Sequence, residues 1–431
     1  MPRRAFYYFW AYQKLTMKKI IFAFLLFATA LHAQQVNELY SKSLKGFKHG
    51  DYPLFLEYAA KLDSVRPWHP VFTYNLARAY ALNNKPNQAF SVLQKSVLMD
   101  GGTAFETDTN FISLRELPEY RKLSVLKAEL DKAVTTSRKI VTLSEKPLHP
   151  EGLLYLKTQK KWFAGSIRQG KIVTFDIKSG KCTDWLDTDY SVFALKADAE
   201  EKYIWVATSA MAEMEGFRPE MADKGEILKV NIKTGKIEER FSVGGKHNYG
   251  DLAIAKNGIV YVSDSYNPTI YKIESGSMTP WFTINGGFNN FQGLCFNADE
   301  SKLYLADYFN GIAEIPIADP GKRRWFVFPE GTIQKGIDGI AFYDSSIIAI
   351  HNGVKPIRII RYFLDGSDKI AKYQVIDNNR PEFSEPTIPY IVNGKCYFFA
   401  NCPWPAYDKK KQLDDSKYQN PMLYNFDIKT D

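Results

Sequence analysis

Two hydrophobic periods divide the chain. Residues 36–132 carry the helical period and no convincing alternating strand, whereas apolar and polar positions alternate with a period of two from residue 137 onward. In the segment 70–100, apolar residues fall at the spacing of two packed amphipathic helices, with Asn83, Asn84 and Pro86 in the turn. The pattern predicts a helical N-terminal domain followed by a mainly β domain.

The helical region is internally repetitive. Segment 40–67 is similar to segment 70–100 with a shift of 33 residues, which sets Phe47 against Tyr80. This period and the Asn-Leu-Ala-x-Ala-Tyr stretch that begins at Asn75 resemble tetratricopeptide repeats. The resemblance implies a tetratricopeptide-like domain over 34–136, with two roles open: recruiting a protein partner, or packing on the neighbouring domain.

The β region repeats six times, at intervals of 43 to 56 residues. Each unit contains a strand-like segment, and these segments end at Gly165, Thr208, Asp264, Asp307, His351 and Asn401. Six units of about four short strands predict a six-bladed β-propeller over 137–431. The predicted fold class is therefore mainly β with an α-helical N-terminal domain. Asp264 and Asp307 are expected to bond to turn backbone.

The last unit lacks its outermost strand. Segments 171–181, 226–236 and 422–431 repeat one strand and turn, and only the first two copies are followed by another strand. The segment 138–146, just before the first unit, is the expected donor. Pairing it with the last blade would close the ring and cover a bare edge.

Polar groups stand at the heads of several inner strands, which converge at one mouth of a propeller channel. Four heads carry a group that can bind a cation or a polar ligand: Glu151, Asp251, Gln292 and Asp338. Unpaired acids in a narrow channel repel one another, so a cation between them is expected. Carboxylate and amide oxygens together suit calcium.

Three stretches resemble a known superfamily of six-bladed propellers, that of senescence-marker-protein-30, gluconolactonase and luciferin-regenerating enzyme. They are Pro150-Glu151-Gly152, the pattern x-Gly-Leu-x-Phe-x-x-Asp-x-x-x-Leu-Tyr-x-Ala-Asp at 292–307, and Asp338-Gly339-Ile340-Ala341. The resemblance covers roughly 137–431. It implies one calcium or other divalent ion bound by Glu151 and Asp338, with Gln292 in place of a family Asn, and lactonase activity. The other family Asn is absent at 250–252.

A catalytic version of this site would act on a lactone or ester. The metal would polarise the carbonyl, and Asp251 or Asp338 would activate water as general base. His149, His351 and Trp404 are weaker candidates for the walls of a substrate pocket. The sequence contains no Gly-x-Ser-x-Gly elbow, zinc-type His pair or phosphate-cradling glycine loop.

The charge and the N-terminal sequence limit which partners and which cellular location are expected. The formal charge is +8, but five basic and no acidic residues lie in the first 33, and the rest holds 51 basic against 48 acidic residues. That balance does not favour a nucleic-acid partner. Met17, the predicted start, precedes two lysines and the apolar run 20–30, which is typical of a secretory leader cleaved before Gln34 and is too short for a membrane span. We expect a periplasmic or secreted protein.

Two function classes remain open at this point. The first is a metal-dependent hydrolase whose channel binds a small-molecule lactone or ester. The second is a non-catalytic binding or scaffold protein that combines a rigid propeller with a partner-recruiting helical domain. Glu151 and Asp338, which match the motifs of the superfamily, favour the first class, and the altered amide positions favour the second.

Overall fold

The structure, a computed structural model, describes residues 34–429, which form two compact units. Within this range, one unit comprises residues 34–96 and 104–123, and the other comprises 97–103 and 124–429. The predicted leader, residues 1–33, lies outside the described residues. None of the helices that the structure describes has the length and apolar character needed to span a bilayer.

Helices dominate residues 34–131. Their bounds are α1 (34–48), α2 (Tyr52–Val65), α3 (Pro70–Leu82), α4 (Pro86–Met99), a 3-10 helix (Thr109–Leu114) and α5 (Pro118–Asp131). Asp51 caps α2 by accepting the Leu54 N–H at 3.1 Å. The predicted turn is confirmed, because α3 ends and α4 begins on either side of Asn83, Asn84 and Lys85. A Cβ on Gly46 would lie 2.7 Å from the Phe55 nitrogen, so α1 and α2 approach closely.

Two short segments group with the β unit although their periodicity is helical. Gly101 donates its N–H to the Lys355 carbonyl at 2.7 Å. Asn378 donates its side-chain N–H groups to the carbonyls of Leu130 and Lys132 at 2.8 and 2.6 Å. These backbone contacts explain why residues 97–103 and 124–136 belong to the β unit.

The β unit consists of six antiparallel sheets, the blades. Blades one to three are β3 (Pro150–Leu156), β4 (Lys161–Ser166), β5 (Lys171–Phe175), β6 (Cys182–Asp187); β7 (Ser191–Ala197), β8 (Tyr203–Ser209), β9 (Gly225–Asn231), β10 (Ile237–Phe241); β11 (Tyr249–Ile254), β12 (Val260–Asp264), β13 (Thr269–Glu274), β14 (Ser277–Thr283). Blades four to six are β15 (Phe291–Phe296), β16 (Lys302–Asp307), β17 (Gly311–Pro316), β18 (Arg324–Trp325); β19 (Ile337–Tyr343), β20 (Ser346–His351), β21 (Arg358–Leu364), β22 (Ile370–Asn378); β23 (Tyr390–Val392), β24 (Lys395–Phe399), β25 (Met422–Asp427). The predicted six-bladed propeller is confirmed.

The ring closes through strands that precede blade one. The innermost strands β3, β7, β11, β15, β19 and β23 contact one another in order, and β23 also contacts β3. The sequence places segment 138–146 at the edge of blade six; there β2 (Arg138–Thr142) pairs with β25. In addition, β1 (Val134–Thr135) pairs with β22 and gives blade five a fifth strand. Apolar faces of neighbouring blades pack in six buried clusters, which is what the alternating pattern requires.

The glycine that follows each predicted ligand lets adjacent blades approach. A Cβ on Gly293 would lie 2.8 Å from the Ile340 nitrogen, and a Cβ on Gly339 would lie 2.6 Å from the Ile388 Cα. Since side chains alternate along a strand, a glycine that faces the next blade turns the residue before it toward the channel. The repeated pattern of an acid or amide followed by glycine therefore indicates two things: close packing between neighbouring blades and a polar residue that faces the channel.

Candidate functional site

A cavity of about 240 Å³ lies in the propeller channel at the heads of the inner strands. Its polar lining comprises the acids Glu151, Asp251, Asp338 and Glu385 and the amides Asn248, Gln292 and Asn352. The aromatic residues that line it are Phe193, Tyr308 and Trp404. The structure thus brings together Glu151, Gln292, Asp338 and Trp404, which the sequence analysis selected from three different blades and one long loop.

Three carboxyl groups in this cavity disfavour one another's charge. Burial, followed by the charge of Asp338, raises the pKa of Glu385 to about 7. Burial and then the charge of Asp338 raise the pKa of Glu151 well above its usual value, and Glu385 adds to this effect. Burial also raises the pKa of Asp338, against the opposing hydrogen bond from Asn352. Each acid therefore gains from a positive charge placed between them.

No lysine, arginine or histidine is among the described residues that line the cavity. The acids therefore have no basic side chain within the cavity to balance them. Within residues 34–429, no three His, Cys, Asp or Glu side chains are gathered closely enough to form a metal cluster by themselves. A cation in this cavity would need the amide oxygens, and water, to complete its coordination.

Two amide oxygens are suited to that role. Asn248 Oδ1 is buried and has no hydrogen-bond partner in the described part of the chain. Gln292 uses its amide nitrogen to donate to Asn290, which leaves its Oε1 facing Gly250 across the cavity. The donor set of carboxylates and amide oxygens therefore fits a hard cation such as calcium in its chemistry.

A loop of blade six anchors Glu151. The indole N–H of Trp404 donates to Glu151 Oε1. His149 does not line the cavity, because its side chain is completely buried, with Nδ1 2.9 Å from the Tyr407 hydroxyl and Nε2 3.9 Å from Glu151 Oε1. Burial, and then the nearby charge of Arg168, lower the pKa of His149 to about 3, so this ring is neutral.

Asp251 occupies a different register position from the other predicted ligands. Tyr249 pairs with Asp264 in blade three as Phe291 pairs with Asp307 in blade four, so Gly250 corresponds to Gln292. Asp251 then falls in the position that is glycine in blade four. Its Oδ1 accepts the Leu252 N–H at 2.8 Å, and its Oδ2 accepts the Leu294 N–H at 2.9 Å.

These bonds change the interpretation of Asp251. Its two oxygens are engaged with backbone donors, and Lys196 Nζ lies 3.7 Å from Oδ1. The side chain is 1% exposed. Asp251 therefore lines the same cavity as Glu151, Gln292 and Asp338 but stands one residue further along its strand, and its bonds suit the joining of blades three and four better than proton transfer.

His351 also lies away from the cavity lining. It is completely buried, and its Nε2 is 2.9 Å from the Tyr362 hydroxyl. Asp264 and Asp307, which end the equivalent strands, accept turn N–H groups as the sequence analysis expected. The residues directly after these three positions do line the cavity: Ser265, Tyr308 and Asn352.

Glu385 is the acid that sequence reasoning did not select. It stands at the head of the sixth unit and has a left-handed backbone with φ of +52°. A glutamate seldom adopts this conformation, and such strain concentrates at functional sites. Its position at the head of the sixth unit could have identified Glu385 from the sequence. The long loops of blade six, however, make the spacing of that unit irregular.

Comparisons with known proteins give only distant structural similarities. No family model matches the chain, and no curated protein matches it. The chain is similar to the PQQ-bound form of an aldose sugar dehydrogenase from Streptomyces coelicolor, with 14% identity over 69% of this chain and 98% of that chain and a TM-score of 0.47. The chain is also similar to virginiamycin B lyase from Staphylococcus aureus, with 14% identity over 67% of this chain and 98% of that chain and a TM-score of 0.47. For a chain of a nidogen/laminin complex, the identity is 19% over 52% of this chain and 79% of that chain, with a TM-score of 0.40.

The order and pairing of the strands define the class of protein. It is a six-bladed β-propeller preceded by a helical N-terminal region. Because a fold of this kind carries many unrelated activities, the function has to be argued from the cavity.

Proposed function

We propose that this propeller binds one divalent cation, calcium foremost, in its channel cavity. Glu151, Asp338 and Glu385 would supply the negative charge, and Gln292 and Asn248 would add amide oxygens. The observation that carries the proposal is that three carboxyl groups with raised pKa values share one cavity whose described lining holds no basic side chain. A bound cation would provide the missing positive charge.

We further propose that the site hydrolyses a small lactone or ester. When bound, a divalent ion would polarise the carbonyl of the substrate. Asn352 donates to Asp338 Oδ2 at 2.8 Å and so orients this carboxyl group. Burial raises the pKa of Asp338, and a general base works best when its pKa is near the operating pH. Asp338 is thus a better candidate base than Asp251.

The sequence resemblance supports the same proposal. The motifs around Glu151 and Asp338 resemble those of the senescence-marker-protein-30 and gluconolactonase superfamily, in which these positions bind the metal. The leader-like N-terminus supports export to the periplasm or beyond the cell, where calcium would be the natural ion. The tetratricopeptide-like period of the helical region supports a protein partner for that unit.

A non-catalytic binding module is the second candidate, and the placement of Asp251 favours it. The family's amide in blade three is absent, Gly250 stands in its place, and the neighbouring Asp251 is engaged with backbone donors. In this version the cation would stabilise the channel while the helical region recruits a partner. The cation site is common to the two candidates, so it is tested first.

The test measures metal content and calcium affinity of the full chain. We expect about one equivalent of calcium per chain by elemental analysis, and a calorimetric titration of the chelator-treated protein that E151Q and D338N each weaken at least tenfold. The matched control is E382Q, because Glu382 is exposed, lies near Glu385 in sequence and pairs with Arg380 at 3.4 Å. Absence of bound metal together with no calcium-dependent heat would refute the cation site.

A panel of lactones and esters then separates the two candidates. Calcium-dependent hydrolysis that disappears in D338N would support the hydrolase. Calcium binding without hydrolysis of any of these compounds would reject it and leave the binding module.

A further inference from the structure

A cluster of aromatic rings lies behind Glu151. The His149 and Trp404 rings meet edge to face at 81°, with centroids 4.4 Å apart. The Tyr407 ring lies 5.5 Å from that of His149. Trp404 and Tyr407 belong to the long loop between β24 and β25, so blade six supplies the rings that surround a residue of blade one. This cluster is absent from the catalytic scheme proposed above.

His149 carries a nitrogen that has no partner. Its Nε2 is buried, makes no hydrogen bond within the described part of the chain, and lies 3.9 Å from Glu151 Oε1. That distance is too long for a hydrogen bond but short enough for a strong electrostatic contact. Buried polar atoms without a partner are uncommon in folded proteins and call for an explanation. The nitrogen points at the same oxygen that Trp404 binds.

The surroundings of His149 decide which nitrogen carries the proton. Burial raises the pKa of Tyr407 to about 12, so its hydroxyl keeps its proton. The positive charge of nearby Arg168 opposes this rise without cancelling it. The Tyr407 hydroxyl lies 2.9 Å from His149 Nδ1, and an O–H that donates to Nδ1 leaves the proton of the neutral ring for Nε2. With its proton on Nε2, the ring would face Glu151 Oε1 with an N–H rather than with a lone pair.

We propose that His149 is a positioning residue of the cation site. Its Nε2–H and the indole N–H of Trp404 would together hold Oε1 of Glu151, so that the other carboxylate oxygen is turned to the cavity. His149 itself touches neither the ion nor a substrate. Its backbone has a left-handed φ of +46°, which a histidine adopts at a cost. This inference rests on the proposed cation site.

Calcium affinity of the full chain tests the role. H149F keeps an aromatic ring but removes the Nε2–H, and we expect it to weaken calcium binding by about tenfold or more, as loss of a group that orients a metal ligand commonly does. H149Q places an amide N–H near the position of Nε2 and should recover affinity to within about threefold of wild type. Y407F removes the bond to Nδ1 and should give an intermediate loss.

The control is His351, a second histidine that is completely buried and bonded to a tyrosine hydroxyl. Its pKa is also lowered to about 3 by burial, but it does not line the cavity and Glu151 is not among its contacts. H351Q should lower the melting temperature and leave calcium affinity unchanged. A purely structural role for His149 would produce the same result in H149F.

A spectroscopic measurement reads the tautomer without any metal. Long-range proton–nitrogen correlations of the full chain with labelled histidines should show His149 protonated on Nε2, and Y407F should shift the ring toward a mixture of tautomers. A proton on Nδ1, or wild-type calcium affinity in both H149F and H149Q, would overturn this inference alone. A wild-type protein that binds no calcium would overturn it together with the proposed function.

Discussion

Trp404 donates its indole N–H to Oε1 of Glu151, across 253 positions of the chain. Glu151 is the second residue of the inner strand of blade one, and Trp404 lies in the loop between β24 and β25 of blade six. The contact therefore spans the point where the ring closes, beside the contact of β23 with β3. Ring closure and the candidate cation site share this hydrogen bond, so we expect a bound cation to stabilise the whole propeller.

The position of Trp404 predicts a direct optical signal. Terbium commonly replaces calcium at oxygen-rich sites and emits when energy passes to it from a nearby excited indole. Terbium added to the chelator-treated protein should show emission excited through tryptophan, and calcium should compete it away. W404F should lose most of this emission, because its indole is the one bonded to a proposed ligand.

Trp281 provides the matched control for this measurement. It packs against Tyr261 in blade three and is absent from the cavity lining. W281F should keep the sensitised emission. Emission that survives in W404F and disappears in W281F would place the ion elsewhere.

Glu385 predicts how stability depends on pH without metal. Its pKa is raised from 4.5 in the unfolded chain to about 7 in the folded protein, by burial and then by the charge of Asp338. Between these pH values the folded state binds more protons than the unfolded state, so the free energy of unfolding falls as pH rises. This contribution is fully present below pH 4.5 and is lost as pH rises through about 7.

The size of the effect is about 1 to 3 kcal/mol for this one group, because each unit of pKa shift corresponds to about 1.4 kcal/mol and Glu385 is only partly buried. Thermal melting in chelator at pH 5 and pH 8 should show a smaller loss in E385Q than in wild type. Excess calcium should reduce the difference. A loss of equal size in the two proteins would mean that Glu385 titrates normally.

Blades four and five pack so closely at Gly293 that we expect no larger side chain to fit there. A Cβ there would lie 2.8 Å from the Ile340 nitrogen and 3.0 Å from the Asp338 carbonyl oxygen, and backbone atoms cannot give way without moving a blade. G293A should lower the free energy of unfolding by about 1 to 3 kcal/mol, as overpacking commonly does. It should also weaken calcium binding, because Asp338 moves with the strand.

Gly250 corresponds to Gln292, not to Gly293, in the strand pairing of blade three, and it serves as the control. The nearest atoms to a Cβ there are Gln292 Oε1 at 3.8 Å and Ser263 Oγ at 4.0 Å, so the added methyl group has room. Denaturant titration of G250A should agree with wild type to within about 0.5 kcal/mol. Equal destabilisation by G250A and G293A would contradict the register described for Asp251.

Asp251 and Asp338 should respond to the same substitution in opposite ways. D251N turns an amide N–H toward a backbone donor, so we expect a loss of about 1 to 3 kcal/mol in the free energy of unfolding. D338N removes a repelling charge from the cavity, so we expect stability without metal to hold or rise while calcium affinity falls at least tenfold. Calorimetric titration and denaturant unfolding of each variant measure these two quantities. A variant of Asp251 that lost calcium with unchanged stability would restore it as a ligand.

Repetition made much of the architecture readable from the sequence. The alternating pattern, the spacing of the strand ends and the incomplete last unit led to a six-bladed propeller with an outer strand contributed from before blade one. Such features are local and recur six times, so an error in one unit is corrected by the others. The same register selected Glu151, Gln292 and Asp338, which do line one cavity.

The sequence by itself therefore determined the class of fold and a core of the candidate site, since both follow from periodicity and from an acid or amide placed before glycine. Only the tertiary structure decided the rest. The one-residue register of Asp251 is visible only in the strand pairing, and the nearness of Trp404 and Glu385 to Glu151 depends on how blade six meets blade one. Whether a polar residue faces a channel or bonds to backbone is set by neighbours that are distant in the chain, and local pattern carries no information about them.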